Sequence, residues 1–299
     1  MKSLLIPLIF LLTSPISANA NFIKHTYETI IKSLSLESSI RREETDTFFN
    51  TSQPVQITQF FSGKSPKSFN DPSTRNFIQK IEKALNSKEK NRFNQLFLEK
   101  SSSKIKKNHN SFLKRFSNTS WSIISSKKIK DESIVIELLI NGEKNINSTK
   151  YYLESKQIIE IKRLEEKILK YDVISEYSIL KSADTPLRIK IDIPDSVLTG
   201  SRYDANIILK DPLGEAFISG GLISTEMNQN ETRKNPFIDL QPIGAGGLFK
   251  SVQAPLIAGE QTLVGLITHP EGIISITKKI NIVSKSEDLA VLKNKIISN

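Results

Sequence analysis

Apolar and polar positions change their rhythm along this chain, and each rhythm predicts a different kind of element. Asp71-Pro72-Ser73 is a helix-start signal, and Phe77, Ile78, Ile81, Ala84 and Leu85 follow at helical spacing. After a break at Asn86-Ser87, Phe93, Leu96 and Phe97 predict a second short helix. Ile105, Phe112, Leu113 and Phe116 predict a third. From Trp121 the period shortens to two. Trp121 and Ile123, then Ile134, Ile136, Leu138 and Ile140, alternate with their neighbours as strands do. Tyr151–Leu153, Ile158–Ile161 and Ile168–Leu180 continue an antiparallel run. Lys130-Asp131-Glu132 and Asn141-Gly142 are the expected turns, the latter a hairpin signal.

Beyond Ser182 the strands become shorter and the separators richer in Gly and Pro. Leu187, Ile189, Ile191 and Ile193 alternate with Arg188, Lys190 and Asp192. Further strands are expected at Tyr203–Leu209, Ala216–Thr225, Phe237–Leu240, Leu248–Gln253, Gln261–Thr268 and Ile273–Val283. Seven short strands with regular turn signals predict an all-β sandwich. A last helical stripe, Leu289, Leu292 and Ile296, follows the N-cap candidate Ser286.

The N-terminal part reads differently. Met1-Lys2, the apolar run Leu4–Leu12 and the small-residue ending Ala18-Asn19-Ala20 form a signal-peptide pattern, with cleavage expected after Ala20. Ile23, Tyr27, Ile30 and Leu34 suggest one helix, and Thr51–Asp71 reads as a linker. The expected organisation is therefore a leader at 1–20, a helix and linker at 21–70 and an α+β domain at 71–181. A β-sandwich at 182–284 and a C-terminal helix at 285–299 complete it.

This order of elements resembles two known architectures. The helix–break–helix from Phe77 to Phe97, followed by the strands from Trp121 to Leu180, resembles the nuclear-transport-factor-2-like (SnoaL-like) superfamily. That resemblance implies a cone-like domain, helices packed on a curved antiparallel sheet around a pocket. The second region resembles the immunoglobulin-like sandwiches of secreted bacterial proteins. It lacks the Cys…Trp…Cys signature, so the resemblance is architectural. Taken together, the segments resemble an uncharacterised cyanobacterial secreted protein family.

Composition narrows the chemistry. The 299 residues include no cysteine, which excludes thiolate catalysis, disulfides and Cys-ligated metal. The three histidines, His25, His109 and His269, fall in three different regions and offer no metal-ligand spacing, so no metal or other cofactor is expected. Gly244–Ser251 has the glycines of a phosphate loop. However, Phe249 stands where Gly must precede Lys, and a strand follows, so a glycine turn with positive φ is expected instead. The SnoaL-like resemblance implies a general base in the pocket. Glu137, Glu154, Glu160, Asp172 and Glu176 are the strand carboxylates that could serve. Trp121, the only tryptophan, is a core anchor or a pocket-lining candidate.

The formal charge of +10 is concentrated. Lys80–Lys130 holds fourteen Lys and Arg against three acids, a local balance of +11. Its runs make Lys104, Lys106, Lys107, Lys114, Arg115, Lys127, Lys128 and Lys130 a candidate anion-binding patch. Nucleic acid is not an expected partner of an exported protein without a nucleic-acid module. The expected function is thus an exported, non-enzymatic binding protein, periplasmic or extracellular. Its partner would be an unidentified protein or a small apolar ligand. Two alternatives stay open: a SnoaL-like hydrolase or isomerase, and a surface protein that holds an anionic envelope polymer or lipid through Lys80–Lys130.

Overall fold

The computed structural model describes residues 5–7, 71–98 (except 88 and 90), 109–129 (except 111 and 117), 133–146, 149–182, 185, 187–211, 216–226, 237–243 and 246–296. The expected leader cleavage after Ala20 and the helix and linker at 21–70 lie outside them, apart from a three-residue strand β1 (Leu5–Pro7).

Helix α1 (Pro72–Leu85) starts where the sequence places it. Asp71 caps it, accepting from the Ser73 amide at 3.1 Å and from the Thr74 hydroxyl at 2.5 Å. Thr74, Phe77, Ile78, Ile81, Ala84 and Leu85 form its buried stripe. Four long strands follow as an antiparallel meander: β2 (Asn118–Lys128), β3 (Ser133–Ile146), β4 (Thr149–Leu164) and β5 (Lys167–Ser182). The shorter strands are β6 (Ile189–Asp192), β7 (Ser196–Leu198), β8 (Arg202–Leu209), β9 (Ser219–Glu226), β10 (Phe237–Asp239), β11 (Gln241–Pro242) and β12 (Gly247–Gln253). A long hairpin, β13 (Gly259–His269) and β14 (Gly272–Val283), and helix α2 (Ser286–Ile296) end the chain.

The expected α+β cone is not what forms. Among the described residues 62% are strand and 17% helix, so the fold is mostly antiparallel sheet. The second expected helix is a single 3-10 turn, Asn94–Leu96, and the third is a short segment within 109–115. Nor does the meander close on itself. β5 pairs with β4 on one side and with β14 on the other, Ser178 opposite Thr277 and Glu176 opposite Lys279. One nine-stranded sheet therefore runs β11-β9-β13-β14-β5-β4-β3-β2, with β7 alongside β14. Strands of up to sixteen residues explain this, because β5 leaves its open edge free to take β14.

Cross-strand partners share a face, so the registers show which side each core occupies. On one face, α1 and the aromatic turn Phe93–Phe97 share a cluster with Trp121, Leu138, Ile140, Ile159 and Ile161. On the opposite face, toward the second half, Ile274, Ile276, Leu263 and Ile267 share a cluster with Ala205 and Ile207 of a second sheet, β12-β8-β6. The sheet is thus covered on one side by helix in its first half and on the other by strands in its second.

The hairpin expected at Asn141-Gly142 is a correction. β3 runs straight through, with Asn141 opposite both Ser120 and Glu154. Gly142 serves close approach instead of a turn: a Cβ there would lie 3.2 Å from the buried Phe116 ring.

Candidate functional site

The outer surface of α1 carries Asn76, Gln79, Lys80 and Lys83, spaced so that they fall on one stripe beside the buried one. The chain then turns back. Leu96 N–H donates to the Phe93 carbonyl, Leu98 N–H donates to the Ile168 carbonyl at 3.2 Å, and Phe97 forms a parallel bridge with Ile168. This ties the 3-10 turn to the start of β5. It sets Arg92, Gln95 and Leu96 opposite the α1 stripe and brings in Lys167, whose ammonium donates to the Gln95 carbonyl.

Between these elements lies a pocket of about 590 Å³. Among the described residues four cations line it, Lys80, Lys83, Arg92 and Lys167, and no acidic residue does. Ala84 and Leu96 supply its apolar part. Lys80 reaches Glu166 at 3.2 Å, an exposed pair of small energetic weight. Among the described residues no carboxylate pairs with Lys83 or Arg92. Such an arrangement can hold an anion by charge-assisted hydrogen bonds, with the Arg92 fork able to grip two oxygens.

The sequence-expected patch is divided. Lys104, Lys106, Lys107 and Lys130 lie outside the described residues. Lys114 is exposed on the short helical segment. Arg115 beside it is half-buried, and burial pushes its guanidinium below the usual range. Lys127 and Lys128 sit at the far end of β2, about 30 Å of extended strand away. Lys128 lies 3.9 Å from Asp71. Charged residues there also blunt the free edge of the sheet. The pocket draws Lys80, Lys83 and Arg92 from the same basic segment, at positions outside the expected runs, and adds Lys167 from far along the chain.

Trp121 is 6% exposed and belongs to the core, ringed by Phe112 and His109 at 5.2 and 5.4 Å between centroids. Neither its indole nitrogen nor the two nitrogens of His109 have a hydrogen-bond partner among the described residues. Burial alone lowers the His109 pKa to about 4.

The strand carboxylates separate by face. Glu160 and Asp172 lie directly opposite each other on the face away from α1, and Asp172 pairs with Lys170 at 2.5 Å. Glu137 shares that face. Burial pushes its carboxyl up, but hydrogen bonds from Lys156 and Ser125 outweigh this and hold it below the usual range. Burial raises Glu154, with Lys181 opposing. Glu176 alone turns to the α1 face, because Ile174 is an extra residue between Val173 and Ser175 in the β4–β5 register. There it is buried, its pKa raised by burial against a hydrogen bond from Gln157 at 2.9 Å. A second buried polar group, Lys278 with Asp195 and Ser175, ties β14 to β5 and to the turn before β7. Among the described residues no three metal-ligating side chains gather. No described helix is long and apolar enough to cross a membrane.

Residues 184–283 match a family described as a domain of unknown function, DUF8623. The match covers β6 to β14, the second sheet and its core, and leaves the basic pocket outside it. No curated protein sequence matches the chain.

Proposed function

We propose that this chain is an exported, non-enzymatic binding protein whose pocket on α1 takes an anionic ligand. The observation that carries this reading is the lining of the pocket: Lys80, Lys83, Arg92 and Lys167 line it, with no acid among its described lining residues. Cations that line one pocket repel one another, so a bound anion relieves that cost. The signal-peptide pattern of residues 1–20 supports export, which makes an anionic envelope polymer or a fragment of one the natural source of ligand. The two sheets sharing the core around Ile207 support a β-sandwich as companion module.

Calorimetric titration with inorganic tripolyphosphate tests the reading. Binding is expected, and it should weaken as salt rises. The double variant Lys83→Gln/Arg92→Gln should lose at least about tenfold, since a hydrogen bond to a charged group contributes about 1.5–3 kcal/mol. Absent binding, or binding that the double variant leaves intact, overturns it.

A further inference from the structure

We infer that the ligand is an anionic polyol or sugar, bound with its charged group at Lys83 and Arg92 and its hydroxyl groups at Asn76 and Gln79. This rests on the anion-binding reading above and specifies its ligand. The pocket is polarised along α1. Asn76 and Gln79 stand toward the N-terminal end of the stripe and Lys83 at its C-terminal end, with Asn76 and Lys83 about 10 Å apart along the axis. Two of the four cations are already engaged, Lys80 with Glu166 and Lys167 with the Gln95 carbonyl. The cations with no partner among the described residues are Lys83 and Arg92. Lys83 and Arg92 are therefore the pocket cations left to take an anionic group.

The other end has different chemistry. Asn76 and Gln79 each offer a carbonyl oxygen as well as an amide donor, and neither has a partner among the described residues. A ligand made only of phosphate or carboxylate presents acceptors, which would leave those carbonyl oxygens facing other acceptors. A hydroxyl group both donates and accepts, so it satisfies both ends of an amide. Among the described residues no aromatic side chain lines the pocket to stack on a nucleobase or an aryl ring. Ala84 and Leu96 suit the C–H surface of a polyol.

The test compares sorbitol 6-phosphate with inorganic phosphate, which carry the same anionic group and differ in the hydroxyl chain. Calorimetry should show sorbitol 6-phosphate binding at least about tenfold tighter, the worth of one or two additional hydrogen bonds. Asn76→Ala/Gln79→Ala should erase that advantage and lower tripolyphosphate affinity far less than Lys83→Gln/Arg92→Gln does. Alanine suits exposed helix positions, so this variant keeps the fold, which circular dichroism checks. Sorbitol 6-phosphate no tighter than phosphate, including no binding by either while tripolyphosphate binds, overturns the polyol inference and leaves the anion reading standing. An advantage that survives the double variant overturns it as well. Failure of tripolyphosphate together with both other probes overturns the anion reading itself.

Discussion

The side-chain amide of Asn86 pairs with the backbone of Trp121 as a neighbouring strand would. Its Nδ2 donates to the Trp121 carbonyl at 2.7 Å, and its Oδ1 accepts from the Trp121 amide at 3.0 Å. Two residues on, the Ile123 amide donates to Glu82 Oε1 at 3.3 Å. Trp121 and Ile123 lie on β2, an edge of the nine-stranded sheet, so the end of α1 closes part of that edge. Asn86→Ala removes both bonds and leaves two backbone groups without partners. It should cost about 1–3 kcal/mol in urea denaturation and raise the tendency to aggregate. A midpoint unchanged from the parent protein would show that the edge does not depend on Asn86.

His109 gives the fold a dependence on pH. Its folded pKa of about 4 lies below the usual 6.5, because burial against Phe93 and Trp121 disfavours the imidazolium. In the unfolded chain the ring takes up a proton as pH falls through 6.5, whereas in the fold it does so only near 4. Stability from this residue is therefore complete above the unfolded value and lost between the two, on the order of 3 kcal/mol in all. His109→Phe should flatten that part of the stability profile. Equal slopes for parent and variant between pH 6.5 and 4 would contradict the burial of a neutral ring.

Glu176 has the opposite sign. Burial raises its pKa, so the folded chain binds that proton more tightly than the unfolded one. The stability it contributes is full below the usual carboxyl value of 4.5 and is lost as pH rises through the folded pKa. Glu176→Gln keeps an acceptor for Gln157 and removes the buried charge. Thermal denaturation should show the variant more stable at neutral pH by a few degrees, with the difference shrinking in acid. A less stable variant at neutral pH would mean that Lys279 depends on that carboxylate.

Gly247→Ala tests the reading of the glycine turn. Gly247 has φ +134°, and a Cβ there would lie 2.0 Å from the Ile207 carbonyl oxygen across the β8–β12 pair. Both effects oppose any side chain, so the variant should lose at least about 2 kcal/mol, against tenths for an exposed surface change. Parent-like stability would contradict the close pairing of β12 with β8.

Elements with a strong local signal were legible in the sequence: the stripe from Phe77 to Leu85, the alternation of β8, and the strand runs of β12, β13 and β14. Three features were not. The Asn141-Gly142 turn signal was overridden by tertiary packing, since Gly142 is set by Phe116 and not by a hairpin. Glu176 follows Asp172 at even spacing and reads as sharing its face. One extra residue at Ile174 reverses that, and bulges leave no periodic mark. The pocket includes Lys167, which the bridge between Phe97 and Ile168 brings beside Gln95. Lys80, Lys83 and Arg92 belong to the basic segment Lys80–Lys130, in which dense runs such as Lys127-Lys128 stand out, whereas the fold gathers isolated cations from three elements. The cone failed for a related reason: nothing in β5 signals that its free edge will take β14 from about a hundred residues away.

Amide chemical-shift mapping by NMR during titration with tripolyphosphate tests the basic pocket most directly. The predicted result is a compact set of shifts at Asn76–Ala84, Arg92–Leu96 and Lys167, saturating together and reversed by salt. Shifts centred on Lys114, Arg115, Lys127 and Lys128 would contradict it, as would the absence of any saturating shift.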